Sequence, residues 1–207
     1  SLKAGFSDED TFVFQDAVSG SEQKWPPRNA TFKKLIYINS HDNNPYLGSA
    51  LSSANSSGQL EKLVIQESDR LKQKRSSGLS YGFQIAACLP FMPSLKALSI
   101  EINSLDSPQI IALAAGIETS QLERFTLRTT AAPTPDEMQY WAPAFEKSPT
   151  LKSVKFSSPV QNYQKPISLP DETVELFARA LANKNIIIAD ISTYALSKKA
   201  AAHLLAA

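Results

Sequence analysis

The sequence predicts an α/β fold in which short parallel strands alternate with helices. Three observations carry this prediction. An apolar frame, L-x-x-L-x-L, recurs along the chain. Its copies follow one another at nearly constant intervals. Amphipathic stretches with helix-start signals lie between them.

The clearest copy is Leu95-Lys-Ala-Leu98-Ser-Ile100. Others are Leu122-Glu-Arg-Phe125-Thr-Leu127, Leu151-Lys-Ser-Val154-Lys-Phe156 and Leu60-Glu-Lys-Leu63-Val-Ile65, with a weaker one at Phe32-Lys-Lys-Leu35-Ile-Tyr37. The first positions, 32, 60, 95, 122 and 151, are separated by 28, 35, 27 and 29 residues. Strand-per-unit repeats have periods of about 20 to 29 residues, so the second step requires an insertion. We place it near 67–79, where Asp69-Arg-Leu-Lys-Gln-Lys-Arg75 reads as a charged surface loop. The last two apolar positions of each frame are two apart, so a strand sends both to one face. Leu63, Ile65, Leu98, Ile100, Phe125, Leu127, Val154 and Phe156 therefore point inward, and Val64, Ser99, Thr126 and Lys155 point outward.

Taken in chain order, residues 1–31 hold Phe6, Phe12, Phe14 and Trp25 without a clear repeat. They are expected to shield the first unit, as the end of a repeat array requires. Residues 32–191 carry the irregular repeats. Tyr46 to Ala54 and Tyr81 to Leu89 are expected helices between frames. Ser107 is a plausible N-cap with Pro108 at the first helical position, and Ile110, Leu113, Ala114 and Ile117 form one stripe. Thr134-Pro-Asp-Glu137 reads as a capping box ahead of Met138, Trp141, Ala142 and Phe145. Pro143 lies too deep for a first-turn residue and is expected to kink or interrupt that helix. Asp171-Glu-Thr-Val174 opens another, with Val174, Phe177, Ala178 and Leu181 on the core side. Asn185 to Ile191 is strand-like, but fits the frame in at least two registers. Residues 192–207 close the array, with a helix from Leu196 carrying Ala200, His203 and Leu204 on one side.

Bulk composition narrows the function classes. With 207 residues, 43% of them apolar, the chain can bury a real core. A net charge of +1 gives no global electrostatic case for nucleic acid or anionic membrane. No apolar run is long enough to span a bilayer. One cysteine, Cys88, excludes an internal disulfide framework and fits a reducing, cytoplasmic compartment. Ser1-Leu-Lys lacks a methionine and a signal-like apolar core, and reads as a processed terminus that leaves room for a longer native chain. The sequons Asn29-Ala-Thr31 and Asn55-Ser-Ser57 are of a kind that arises by chance in Ser-rich chains.

The stretch Ala112-Leu-Ala-Ala-Gly-Ile-Glu-Thr-Ser-Gln-Leu-Glu-Arg-Phe-Thr-Leu127 resembles the ribonuclease-inhibitor-like class of leucine-rich repeat proteins. So do Leu47-Gly-Ser-Ala-Leu51 leading to the frame at 60, and Trp141-Ala-Pro-Ala-Phe145 leading to the frame at 151. The resemblance covers about residues 45 to 191. The Asn or Cys of the family pattern after the strand is clear only at Asn103, while Thr130 and Pro159 stand at equivalent places. That departure marks the repeats as degenerate. The resemblance implies a leucine-rich-repeat-like βα solenoid with a short parallel sheet on the concave side and helices on the convex side. It also implies binding of another protein through the strand face. Degenerate repeats rich in Ser, Asn and Lys resemble, too, the repeat regions of bacterial effectors delivered into host cells. In that alternative the chain is the substrate-recognition part of a longer, ubiquitin-ligase-type enzyme.

The outward strand positions form the candidate face: Lys34 and Ile36; Lys62, Val64 and Gln66; Ala97, Ser99 and Glu101; Arg124, Thr126 and Arg128; Ser153, Lys155 and Ser157. Arg124, Arg128 and Lys155 are expected to make a basic strip beside Glu101, suited to an acidic patch on a partner. The plainer alternative is a solvated face whose charges pair across strands.

Candidates for chemistry are weaker. Cys88 sits in the apolar stretch Gln84-Ile-Ala-Ala-Cys88-Leu-Pro, with no histidine near in sequence, and reads as a structural thiol. Ser40, His41 and Asp42 are consecutive, which is the wrong arrangement for a triad. His203 reads as packing or solvent-facing. Two separated histidines and one cysteine give no metal-ligand spacing, and Asp8-Glu-Asp10 lacks the rest of a calcium loop. No glycine-rich phosphate loop is present, so no cofactor or metal is expected. Lys72-Gln-Lys-Arg75 reads as a solvated basic loop. Phe83, Phe91 and Tyr140-Trp141 suit core packing better than base stacking. The sequence thus favours a non-enzymatic binding module.

Overall fold

The structure, a computed structural model, describes residues 5–8, 11–15, 32–39, 47–56, 58–68, 81–158, 166–181 and 185–206. Its strands are β1 (Gly5–Asp8), β2 (Thr11–Gln15), β3 (Lys34–Asn39), β4 (Lys62–Glu67), β5 (Ala97–Glu101), β6 (Arg124–Arg128), β7 (Ser153–Ser157), β8 (Ile167–Ser168), β9 (Ile188–Asp190) and β10 (Tyr194–Ala195). The described helices are α1 (Leu47–Ser56), α2 (Tyr81–Cys88), α3 (Ser107–Thr119), α4 (Pro135–Lys147), α5 (Asp171–Ala180) and α6 (Lys198–Ala206).

The fold is α/β. Eight strands form one sheet in the order β1-β2-β3-β4-β5-β6-β7-β9. Only β1 runs antiparallel to its neighbour; from β2 to β9 seven strands are parallel. Parallel neighbours need crossovers, and helices supply them. Right-handed crossovers between sequential strands place the helices on one side of the sheet. Each helix packs on the next, from α1 through α6. A separate two-stranded parallel sheet joins β8 to β10.

Burial follows the frame. Phe32, Leu60, Leu95, Leu122 and Leu151, its first positions, are all buried. Across the sheet one buried row runs Phe12, Leu35, Leu63, Leu98, Phe125, Val154, and a second runs Phe14, Tyr37, Ile65, Ile100, Leu127, Phe156. The helices meet these rows with their own apolar stripes. Around Phe125, the rings of Trp141, Phe145 and Phe156 lie 5.3, 5.9 and 6.3 Å away, centre to centre. Phe177 extends the cluster edge-on from Phe156 at 5.8 Å.

The units are clamped by one repeated hydrogen-bond pattern. The carbonyl of the second frame residue accepts two N–H groups of the next frame. Lys33 O takes Glu61 and Lys62, Glu61 O takes Lys96 and Ala97, and Lys96 O takes Glu123 and Arg124. Glu123 O takes Lys152 and Ser153, and Lys152 O takes Ile187 and Ile188, all at 2.8–3.1 Å. These carbonyl-bearing residues alternate in charge along the stack: Lys33, Glu61, Lys96, Glu123, Lys152.

Several expectations need correction. The cap of α3 is Asp106, whose carboxylate accepts the Gln109 N–H at 2.9 Å; Ser107 is the first helical residue and Pro108 the second. The helix α4 runs unbroken through Pro143. Pro143 is exposed while Ala142, Ala144 and Phe145 are buried, so packing holds the turn despite the lost hydrogen bond. The capping box is formed as expected: Thr134 Oγ1 accepts from Glu137 N at 3.2 Å, and Glu137 accepts from Thr134 N at 2.8 Å. Residues 1–31 contain a frame fragment after all, since Phe12 and Phe14 stand in register with Leu35 and Tyr37. Phe83, Phe91 and Tyr140 are exposed rather than core, and only Trp141 of that group is buried. Phe83 lies off the stripe of α2 that buries Tyr81, Gly82 and Ile85. Trp25, His41, the Asn29 sequon, residues 69–79 of the expected insertion with Lys72-Gln-Lys-Arg75, and Pro159 lie outside the described residues.

Helices α2 and α3 approach closely at Gly82. A Cβ there would lie 2.7 Å from the Gln109 carbonyl oxygen and 2.9 Å from its Cα, and the Gly82 N–H donates to Gln109 Oε1 at 3.0 Å. Gly82→Ala is expected to lower stability in urea unfolding by about 1–3 kcal/mol through overpacking. Phe125→Ala is expected to cost about 3–5 kcal/mol. Phe91→Ala, at a side chain 69% exposed, should stay within about 0.5 kcal/mol of wild type. A Gly82→Ala protein of unchanged stability would refute the close contact.

Candidate functional site

The in-register stacking that buries one face of the sheet lines up the other face in three rows. Most residues on that face are half-buried or exposed, whereas the opposite rows are buried, so the described helices lie on the other side. All fourteen predicted face residues lie on the face away from the helices. The row at the N-terminal ends of the strands runs Thr11, Lys34, Lys62, Ala97, Arg124, Ser153, Ile188. The middle row runs Val13, Ile36, Val64, Ser99, Thr126, Lys155, Asp190. The third row runs Ile38, Gln66, Glu101, Arg128, Ser157.

The expected basic strip is broken up by the register. Arg128 stands opposite Glu101, with 3.7 Å between its guanidinium and the carboxylate. Gln66 Nε2 donates to the same Glu101 oxygen at 3.5 Å from the other side. Lys155 donates to Asp190 at 2.5 Å. Arg124 occupies a different row, beside Ala97 and Ser153. Two outward residues, Ala97 and Ser157, are buried. Ala97 is short and stands between the longer Lys62 and Arg124, which shade it.

Sequence reasoning missed Thr11, Val13, Ile38, Ile188 and Asp190 among the contributors to this face. Val13 belongs to a strand whose frame is incomplete. Ile38 extends β3 beyond the frame. Asp190 depended on the ambiguous final register, which the pairing of Ser153 with Ile188 and Lys155 with Asp190 resolves. Asp190 is also held by its own turn, accepting from Ser192 N at 2.9 Å and Ser192 Oγ at 2.6 Å.

The C-terminal ends of the strands are held by buried polar groups. Glu67 is buried and accepts the Asn103 N–H at 2.8 Å. Asn39 Nδ2 donates to the Tyr81 hydroxyl at 2.7 Å. The Thr130 hydroxyl donates to Asn103 O at 3.0 Å and ties the turn after β6 to the one after β5.

Among the described residues, those considered for chemistry do not converge. Cys88 ends α2, half-buried, and burial pushes its thiol above the usual range, which disfavours the thiolate a nucleophile needs. His203 lies half-buried on α6, at the far end of the helix layer from α2. Ser40, His41 and Asp42 lie outside the described residues. Among the described residues no group of three His, Cys, Asp or Glu side chains is placed to hold a metal ion. No described helix is long and apolar enough to cross a membrane. A pocket of about 310 Å³ is lined by Glu123, Pro149, Thr150, Lys152, Asn185 and Ile187, but its charges pair with each other at 3.0 Å. No protein-family model matches the chain, and no curated protein matches it.

The Lys155 and Ser192 hydrogen bonds lower the Asp190 carboxyl to about 2. A folded value below the unfolded value of about 4 stabilises the protein above pH 4, and the contribution fades as pH falls from there toward 2. Asp190→Asn is therefore expected to lower the urea midpoint at pH 6 and to lose that difference as pH falls toward 2. The pair is partly exposed, so the effect is small and weakens in high salt. A wild-type-to-variant gap independent of pH would refute this role of the carboxylate.

Proposed function

We propose that this chain is a leucine-rich-repeat-like βα solenoid that binds another protein through the face of its sheet turned away from the helices. One observation carries the reading. Parallel sheets are ordinarily covered on both faces, whereas here the described helices form a single layer. The remaining face presents rows of varied side chains on rigid strands, which is how a repeat scaffold offers specificity. In this reading the face is concave, β1 and β2 shield one end of the solenoid, and α6 closes the helix layer at the other.

The middle of the face is Ser99 and Thr126, both half-buried between flanking strands. A Ser99→Arg/Thr126→Arg protein should fold, because both side chains leave the core. Affinity capture from native lysate, compared with wild type and with Gln139→Arg on the exposed side of α4, tests the reading. We expect the same partners with wild type and Gln139→Arg, and their loss with the sheet-face variant. Equal capture by all three proteins would remove the face from the function.

A further inference from the structure

Resting on that reading of the open face, we propose that its occupant is an extended acidic segment of the partner protein, held by Lys34, Lys62 and Arg124. The argument begins with charge. Of the five basic residues in the three rows of the face, Arg128 and Lys155 are neutralised by Glu101 and Asp190 on neighbouring strands. Lys34, Lys62 and Arg124 share one row and form no ion pair among the described residues. Glu123, next to Arg124 in sequence, pairs with Lys152 at 3.0 Å and feels the Arg124 charge only more weakly.

The register adds a second point. Lys34 and Lys62 stand directly opposite each other on adjacent strands. Like charges so placed weaken a sheet. The free protein therefore carries a local repulsion that carboxylates from outside would relieve.

Spacing and neighbours give the chemistry of the occupant. Strands about 4.8 Å apart put Lys34 and Arg124, three strands apart, at roughly 14 Å. An extended chain covers that distance in about four residues. The next row beside Lys34 and Lys62 is Ile36 and Val64, aliphatic and half-buried. The matching segment therefore carries carboxylates about four residues apart with an aliphatic side chain between them. Nucleic acid fits less well, because no aromatic side chain in the three rows offers a base a stacking surface.

Fluorescence anisotropy with a labelled ten-residue peptide that carries glutamate at every fourth position, isoleucine midway between and serine elsewhere tests this. The controls are the same peptide with glutamine for glutamate, and a labelled oligouridylate. We expect the acidic peptide to bind, more weakly as salt rises. Exchange to glutamine, or Lys62→Ser/Arg124→Ser in the protein, should weaken it by about tenfold, as the loss of two partly exposed ion pairs implies. The same variant should be at least as stable as wild type in urea, since it removes the Lys34–Lys62 repulsion. No binding of the acidic peptide at millimolar concentration, equal binding of the glutamine peptide, indifference to the variant, or preference for oligouridylate would each overturn the proposal. Failure here is distinguishable from failure of the open face as a binding surface. If Ser99→Arg/Thr126→Arg abolishes partner capture while Lys62→Ser/Arg124→Ser does not, the face stands and the acidic occupant falls.

Discussion

One backbone interaction sets the rest of this structure: a carbonyl at the second position of each frame receives two N–H groups from the next. It recurs at Lys33, Glu61, Lys96, Glu123 and Lys152. Because it precedes the strand, it fixes where pairing begins. Every later pair then falls in register, Leu35 with Leu63, Leu63 with Leu98, Leu98 with Phe125, Phe125 with Val154. A slip of one residue would turn the buried rows to solvent, so the apolar pattern enforces the same answer. The alternation of Lys and Glu at these positions works in the same sense. It places opposite charges on successive units, as the contact of Glu123 with Lys152 shows.

The same register generates both faces. Inward, it stacks large side chains into continuous rows, and the ring cluster around Phe125 ties β6 and β7 to α4 and α5. Outward, it decides which charges meet. Glu101 meets Arg128 and Gln66, and Lys155 meets Asp190, whereas Lys34 meets Lys62. Surface pairs contribute little to stability, so this pattern is weakly constrained by folding. It is free to follow the needs of recognition, and a row of like charges is a pattern that folding alone would not favour.

How much was legible in the sequence depended on whether a signal was local. The frames at 60, 95, 122 and 151 and the helices before them were readable, because apolar period and caps are short-range. The capping box at Thr134 and Glu137 is of this kind. The strand containing Phe12 was not readable, since only two of its frame positions are large and apolar and it reaches β3 through a long connection. The partners of Arg128 and Lys155 were hidden because each lies one strand away and depends on register. Asp106 displaced Ser107 as the cap because two adjacent residues could both cap, and a shift of one residue decides. The burial of Ala97 reflects the length of its neighbours, which no reading of the residue itself contains. Of the candidate face, membership was readable and electrostatics were not.

The two edges of the sheet are finished differently, and the difference follows from what each leaves unpaired. At one edge the chain reverses, so that β1 runs antiparallel beside β2. At the other, β9 leaves Ile187 and Ile188 79% and 58% exposed on an open edge, a place where a further strand could add. Three features oppose such pairing. The strand is only three residues long. It ends on Asp190, whose carboxylate stays charged because Lys155 and Ser192 hold it. Immediately beyond, the Ser192 turn diverts the chain so that Tyr194 pairs with Ile167 in the small second sheet. A short, charged, diverted edge offers too few hydrogen bonds to continue the stack. The frame that propagates the sheet through seven parallel strands thus stops where the strand shortens to three residues and its inward position, opposite Val154, is the small, exposed Ala189.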